Sequence, residues 1–310
     1  MIKARALQPG DTLAIVAPSS PVDPDGLAAG LTMLRSWGFE TRVMPSVLAA
    51  RGYLAGVDDR SRAADLAEAF ADPSVAGVIC ARGGYGAGRL LQLIDWRAIA
   101  EHPKFFVGFS DVTALHLAFG QLGHVTFHGP MVAAGIDRSA YNADRLHQAM
   151  TATRPLGELL LPDDGPKLLS LVPGVARGPL VGGNLSLICS TLGTPWEIDT
   201  RGKIVLLEDV DEAPYRLDRM LVQLLQAGKL RDAAGILFGD SPTCEKATDG
   251  KPSLTLHEVL EELLAPLDLP LLYGFPCGHS AYRATVPLGV QVELDAGRGS
   301  LTVLESALDG

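Results

Sequence analysis

Three stretches set the fold class: Val75-Ala76-Gly77-Val78-Ile79-Cys80, the glycine-rich Ala81-Arg82-Gly83-Gly84-Tyr85-Gly86, and Phe105-Phe106-Val107-Gly108-Phe109-Ser110-Asp111. The first and third are short, unbroken apolar runs that end in small or polar residues, the pattern of strands buried on both faces. Helical spacing is read between them at 86–94 and after them at 111–122. Working outward, residues 12–16 (TLAIV), 41–44 and 125–128 read as further strands. Residues 25–37, with Leu27, Leu31 and Leu34 on one face, and 61–70 read as helices. Strand-then-helix alternation predicts an α/β fold around a parallel sheet. In such folds ligands gather beyond the carboxyl ends of the strands. That directs attention to the loops at 18–20, 82–84 and 110–111.

Proline and glycine crowd residues 153–177 and the helical periodicity stops there. This predicts a linker between an N-terminal domain at 1–152 and a C-terminal domain at 178–310. In the second domain 203–207 (KIVLL), 234–238 and 270–275 read as strands, and 215–227 and 254–264 as helices. Gly182-Gly183-Asn184 opens a helix to 192, and 289–294 with 300–304 form a hairpin, so a smaller mixed α/β domain is expected. The 310 residues suit two domains, and 47% hydrophobic with 20% charged residues is a globular balance. A net charge of −10 repels phosphate backbones and anionic membranes, so no nucleic-acid partner is expected. No apolar run reaches the roughly 18 residues of a membrane span. Residues 1–11 carry no apolar run of signal-peptide length, and the expected location is the cytoplasm. Cys80, Cys189, Cys244 and Cys277 are scattered without zinc or disulfide spacing, which predicts reduced, buried thiols and no structural metal.

Chemistry concentrates in three places. Ser110 stands at a strand end just before a helix, where a sharp turn would lift its oxygen and aim the next amide at whatever that oxygen attacks. Ser110 or Asp111 could equally be an N-cap. A serine nucleophile needs a positioned base. Of seven histidines, His279, in the loop Phe275-Pro276-Cys277-Gly278-His279-Ser280 after a buried strand, is the best placed. His116 lies inside a helix and reads as a packing residue. The acidic run Glu208-Asp209-Val210-Asp211-Glu212 ends an apolar strand. It could hold magnesium through Glu208, Asp209 and Asp211, orient an imidazole through Glu208, or be solvated. The turn at 82–89 raises a rival of another class, a non-catalytic nucleotide- or sugar-binding protein. However, the glycine spacing lacks the last small residue of a dinucleotide fingerprint, and no phosphate-loop Lys-Ser/Thr pair follows. The same turn could supply an oxyanion-hole amide beside Ser110.

Taken in order, Gly10-Asp11, Ala17-Pro18-Ser19, Ala81-Arg82-Gly83-Gly84-Tyr85-Gly86, Gly108-Phe109-Ser110-Asp111, Gly182-Gly183-Asn184-Leu185, Leu207-Glu208-Asp209 and Gly278-His279 resemble the LD-carboxypeptidase family of serine peptidases. The family includes murein tetrapeptide carboxypeptidases and microcin C immunity peptidases, and the resemblance runs over almost the whole chain. It implies a flavodoxin-like N-terminal domain, a smaller C-terminal domain, an active site in the crevice between them, a homodimer, and no metal or organic cofactor. It also implies Ser110 as nucleophile, His279 as general base and Glu208 as the third member of the triad. The implied oxyanion hole is formed by amides of Asp111 and of Gly84 or Gly83. Arg82 and Asn184 are candidates for substrate contact, with helix capping the alternative for Asn184. The implied reaction is release of a terminal D-amino acid, D-Ala, from a muropeptide in cell-wall recycling. The family's other branch would cleave peptidyl or aminoacyl adenylates instead.

Overall fold

A computed structural model describes residues 1–245 and 252–310. The chain divides into two compact units, Met1–Pro155 with Ala284–Gly289 and Ser306–Gly310, and Leu156–Arg283 with Val290–Glu305.

In the first unit the strands are β1 (Thr12–Val16), β2 (Glu40–Val43), the two-residue pair β3 (Ala50–Arg51) and β4 (Leu54–Ala55), β5 (Val75–Cys80), β6 (Phe105–Gly108) and β7 (Thr126–His128). The helices are α1 (Pro24–Ser36), α2 (Asp59–Ala71), α3 (Trp96–Ala100), α4 (Thr113–Gln121) and α5 (Ala140–Thr151). Each polar residue before a helix does local work: Asp23, Asp95 and Ser139 accept from first-turn amides, and Asp58 forms a capping box with Ser61. β2, β1, β5, β6 and β7 pair parallel in that order. This is the flavodoxin-like strand order. The chain leaves β1 on one side for β2 and returns on the other side for β5, so the carboxyl ends of β1 and β5 flank a topological switch point. The apolar runs are strands because both faces are covered. Every residue of β6 is buried, and Phe106 packs on Phe119 of α4 with ring centroids 4.8 Å apart.

In the second unit the strands are β8 (Gly157–Glu158), β9 (Leu169–Val172), β10 (Val175–Asn184), β11 (Ile204–Glu208), β12 (Gly235–Gly239) and β13 (Leu271–Phe275). After β14 (Val286–Leu288), which pairs with β7 in the first unit, come β15 (Gln291–Asp295) and β16 (Ser300–Val303). The sheet order is β8-β16-β15-β10-β11-β12-β13-β9. β10 to β13 are parallel, with antiparallel neighbours on both sides. α6 (Leu185–Ser190), α7 (Pro214–Gln226) and α8 (Leu256–Leu264) complete the unit.

Three sequence expectations need revision. Residues 153–177 are no simple linker: they supply β8, β9 and the start of β10 to the second sheet. Their prolines and glycines punctuate short strands. The second half of the chain also returns to the first unit at Ala284–Gly289 and Ser306–Gly310. Finally, 86–94 is no continuous helix. Gly86 has φ +134°, only a short turn forms at Ala87–Leu90, and Asp95 starts α3 afresh. Among the described residues no helix is long and apolar enough to cross a membrane.

Candidate active site

The first unit places Ser110 by backbone geometry. β6 ends at Gly108, Phe109 is extended, and Ser110 takes φ +64°, the left-handed region that side chains avoid. Holding a non-glycine residue there costs about 1–3 kcal/mol, so its surroundings must enforce it. A Cβ on Gly108 would stand 2.7 Å from Val112 Cγ1, so only glycine lets the turn close. The glycine-rich turn packs against the serine itself. A Cβ on Gly83 would lie 2.9 Å from Ser110 Cβ and 3.2 Å from its Oγ. Gly84, at φ +112°, would drive a Cβ to 2.3 Å from Ser20 Oγ.

Side chains then stitch three strand-end loops together. The buried Asp111 carboxylate accepts the Ser19 hydroxyl at 2.6 Å and the Ala87 amide at 2.7 Å. Burial pushes its pKa up, and those two hydrogen bonds oppose the rise. Ser20 Oγ accepts the Tyr85 amide at 3.1 Å, and the Ser20 amide donates to the Gly83 carbonyl at 3.3 Å. Arg62 is buried under the same loops, where it donates to the Pro18 carbonyl and pairs with Asp59 at 2.5 Å. His116 packs as expected: Nε2–H donates to the Gly108 carbonyl at 2.9 Å, and Nδ1 accepts from the Thr126 hydroxyl at 2.9 Å. Burial lowers its pKa to about 3, so it stays neutral. Two amides of the glycine-rich turn are thus committed internally, which makes the turn a scaffold for Ser110 more than an open phosphate cradle. Arg82 is half-buried and donates to the Pro21 carbonyl at 3.2 Å.

The second unit builds its pair from side chains. Glu208 ends β11 in register with Asn184 of β10, and it is fully buried. His279 lies on the loop after β13, and its Nδ1 sits 2.6 Å from Glu208 Oε2. With the carboxylate accepting, the imidazole proton is on Nδ1 and the basic lone pair on Nε2. Gly239 permits this approach, since a Cβ there would stand 2.9 Å from Glu208 Cβ. Asp209 turns the other way: it accepts from Asn184 Nδ2 at 3.0 Å, from the Ser186 amide at 3.0 Å and hydroxyl at 2.7 Å, and from the Val210 amide at 2.9 Å. Burial raises its pKa. Asn184 caps α6 by accepting the Leu187 amide at 3.2 Å, the capping alternative read from the sequence. Asp209 is therefore spent on α6, and no group of three or more His, Cys, Asp or Glu suited to a metal occurs among the described residues. All four cysteines are buried.

Sequence reasoning missed four residues that hold these loops: Ser19, Ser20, Arg62 and the buried Arg283, whose Nε donates to the Gly278 carbonyl just before His279. The two serines lie in a loop flagged at the end of β1, but their partners sit far along the chain. Nothing local marks the arginines, because a buried arginine reads like a surface one.

These features define a class: α/β proteins of two units, one raising a serine on a strained strand-end turn, the other holding a carboxylate–imidazole pair. More specifically, the chain belongs to the LD-carboxypeptidase family of serine peptidases. Sequence models of the family's N-terminal and C-terminal domains match residues 13–129 and 177–294. It is 43% identical over 313 residues to a Bacillus subtilis (strain 168) protein named "Probable murein peptide carboxypeptidase", with 99% of this chain and 96% of the relative covered. A solved muramoyltetrapeptide carboxypeptidase from Oxalobacter formigenes is 30% identical, with a TM-score of 0.83 over 96% of this chain and 100% of the other. The microcin C7 self immunity protein MccF shares the fold, with a TM-score of 0.91 at 22% identity and full coverage of both chains.

Proposed function

We propose that this protein is a serine carboxypeptidase that hydrolyses an L,D-peptide bond and releases terminal D-Ala from a muropeptide during cell-wall recycling. Ser110, His279 and Glu208 act as its triad. His279 Nε2 takes the Ser110 proton as Oγ attacks the scissile carbonyl, while Glu208 holds the imidazole tautomer and stabilises the imidazolium. Amides of Asp111 and of Gly84 or Gly83 hold the oxyanion. His279 then protonates the leaving amine, and water repeats the cycle on the acyl-enzyme. Arg82 is the candidate for the substrate's terminal carboxylate, since a guanidinium matches that planar anion.

The observation that carries this reading is the 2.6 Å contact between His279 Nδ1 and the buried Glu208 carboxylate, which orients a base and leaves Nε2 for the serine. The murein substrates named for the Bacillus subtilis and Oxalobacter formigenes relatives support the substrate class.

The test is release of D-Ala from a muropeptide tetrapeptide, run beside an L-Ala-terminated epimer and an adenylated peptide. Wild-type protein should act on the D-Ala substrate alone, and Ser110→Ala should lower kcat by on the order of 10⁶ with the fold retained. Undiminished hydrolysis by Ser110→Ala would end the triad mechanism. Preference for the adenylated peptide would transfer the protein to the immunity-type reaction.

A further inference from the structure

Arg283 is 2% exposed, although arginine is almost never fully buried without a task. It follows His279 by one turn of loop and folds back under it. Its Nε donates to the Gly278 carbonyl at 2.9 Å, and Nη2 makes a longer contact with the Ser280 carbonyl at 3.4 Å. The two carbonyls bracket His279, one on the residue before it and one on the residue after.

The backbone there needs such a grip. Gly278 has no Cβ to restrict it, and one would fall 2.2 Å from the Asp240 carbonyl oxygen, so the site demands the most flexible residue where the catalytic loop begins. A glycine joint next to a base would let the imidazole swing unless its peptide plane were fixed. Drawing the Gly278 carbonyl to a buried guanidinium fixes the plane that leads into His279. The Ser280 carbonyl limits the loop on the far side, and the Ser280 hydroxyl donates to the Tyr282 carbonyl at 3.1 Å. From this we infer that Arg283 is a positioning residue: it holds the peptide bond that leads into His279 and, more loosely, the one that follows Ser280, so that the imidazole keeps its bond to Glu208.

The inference rests on the proposed role of His279. The planar fork of arginine presents two donors at a fixed spacing, which the single ammonium of lysine cannot reproduce. Misplacing a catalytic group by about 1 Å costs on the order of 100-fold.

Arg283→Met, Arg283→Lys and His279→Ala are compared with wild type in steady-state turnover and in the rate at which a fluorophosphonate labels Ser110. All are assayed below the melting temperature of each variant. Arg283→Met should lose roughly 10- to 100-fold in kcat with KM within about twofold, and Ser110 labelling should slow by the same factor. Arg283→Lys should recover part of both losses. If Arg283→Met fails to fold, the partial kcat defect of Arg283→Lys at unchanged KM carries the test alone. The clamp is overturned if a folded variant keeps kcat and labelling within twofold of wild type while His279→Ala is inactive. If His279→Ala itself turns over normally, the triad fails and the clamp with it.

Discussion

The Ser110 turn and the His279 loop both carry a proposed catalytic side chain beyond the end of a buried parallel strand, yet they are held by opposite means. Ser110 is placed by its own backbone: a left-handed φ, a glycine before it, and the Gly83-Gly84 turn pressed against its side chain. His279 is placed from outside, by the Glu208 carboxylate on its ring and the Arg283 guanidinium beneath its peptide. The difference suits the proposed chemistry. A serine oxygen needs one direction of approach, which a rigid turn supplies. An imidazole must hold and pass a proton, so its tautomer matters as much as its place, and only a hydrogen-bonding partner sets a tautomer.

The sharpest way to break the comparison is to remove the tautomer control and keep the shape. Glu208→Gln conserves volume inside the sheet but offers an amide in place of the charge. It no longer favours the Nδ1 proton or stabilises the imidazolium. The expected loss is about 10⁴ in kcat with the melting temperature nearly unchanged. Steady-state kinetics beside a thermal melt decides it: a kcat within tenfold of wild type would mean that Glu208 does no more than fill space.

The complementary change attacks the backbone device. Gly84→Ala puts a Cβ at φ +112° and 2.3 Å from Ser20 Oγ, so the turn must move away from Ser110. Losing one oxyanion donor is worth about 2.7–4 kcal/mol of barrier, and a displaced turn amide should cost kcat on the order of 10² to 10³. Adding Ser20→Gly relieves the steric conflict but leaves the φ strain. The double variant should therefore regain only part of the activity in a direct kcat comparison; full recovery would show that backbone conformation at Gly84 is irrelevant.

The same contrast explains what the sequence made legible. β5 was readable to its ends because Val75–Cys80 is apolar without interruption and burial on both faces leaves no pattern to confuse. Ser110, Glu208 and His279 stood out for a similar reason: each is a chemically able residue where an apolar run stops. The helix expected at 86–94 failed because Gly86, which looks tolerable in a helical window, takes a φ of +134° and packs against Arg62 and Leu54. The linker expected at 153–177 failed because strands of two to four residues are too short to show a period. Arg62 and Arg283 were invisible, since their burial depends on carbonyls brought in from other loops. Local chemistry can be read along a chain, whereas the clamps that orient it exist only after folding.

The smallest expected effect tests whether the Asp111 carboxylate belongs wholly to the scaffold. Its carboxylate ties Ser19 to Ala87, and both groups donate to it, so an asparagine oxygen can accept the same two bonds. Burial raises the Asp111 pKa in the folded state, which means the folded protein holds this proton more tightly than the unfolded chain does. The associated stability is present below the ordinary carboxylate pKa of about 3.9 and is lost as pH rises through the elevated folded value. Asparagine has no proton to lose. The melting temperature of Asp111→Asn minus that of wild type should therefore become more positive between about pH 4 and pH 7, by about 2–4 °C for each kcal/mol involved. The buried Asp209 and the half-buried Asp240 titrate in both proteins and cancel in the difference. A difference that stays flat, or falls with pH, would mean that the ionised carboxylate is favoured where it stands, with the Ser19 and Ala87 donors and the nearby Arg62 charge outweighing its desolvation.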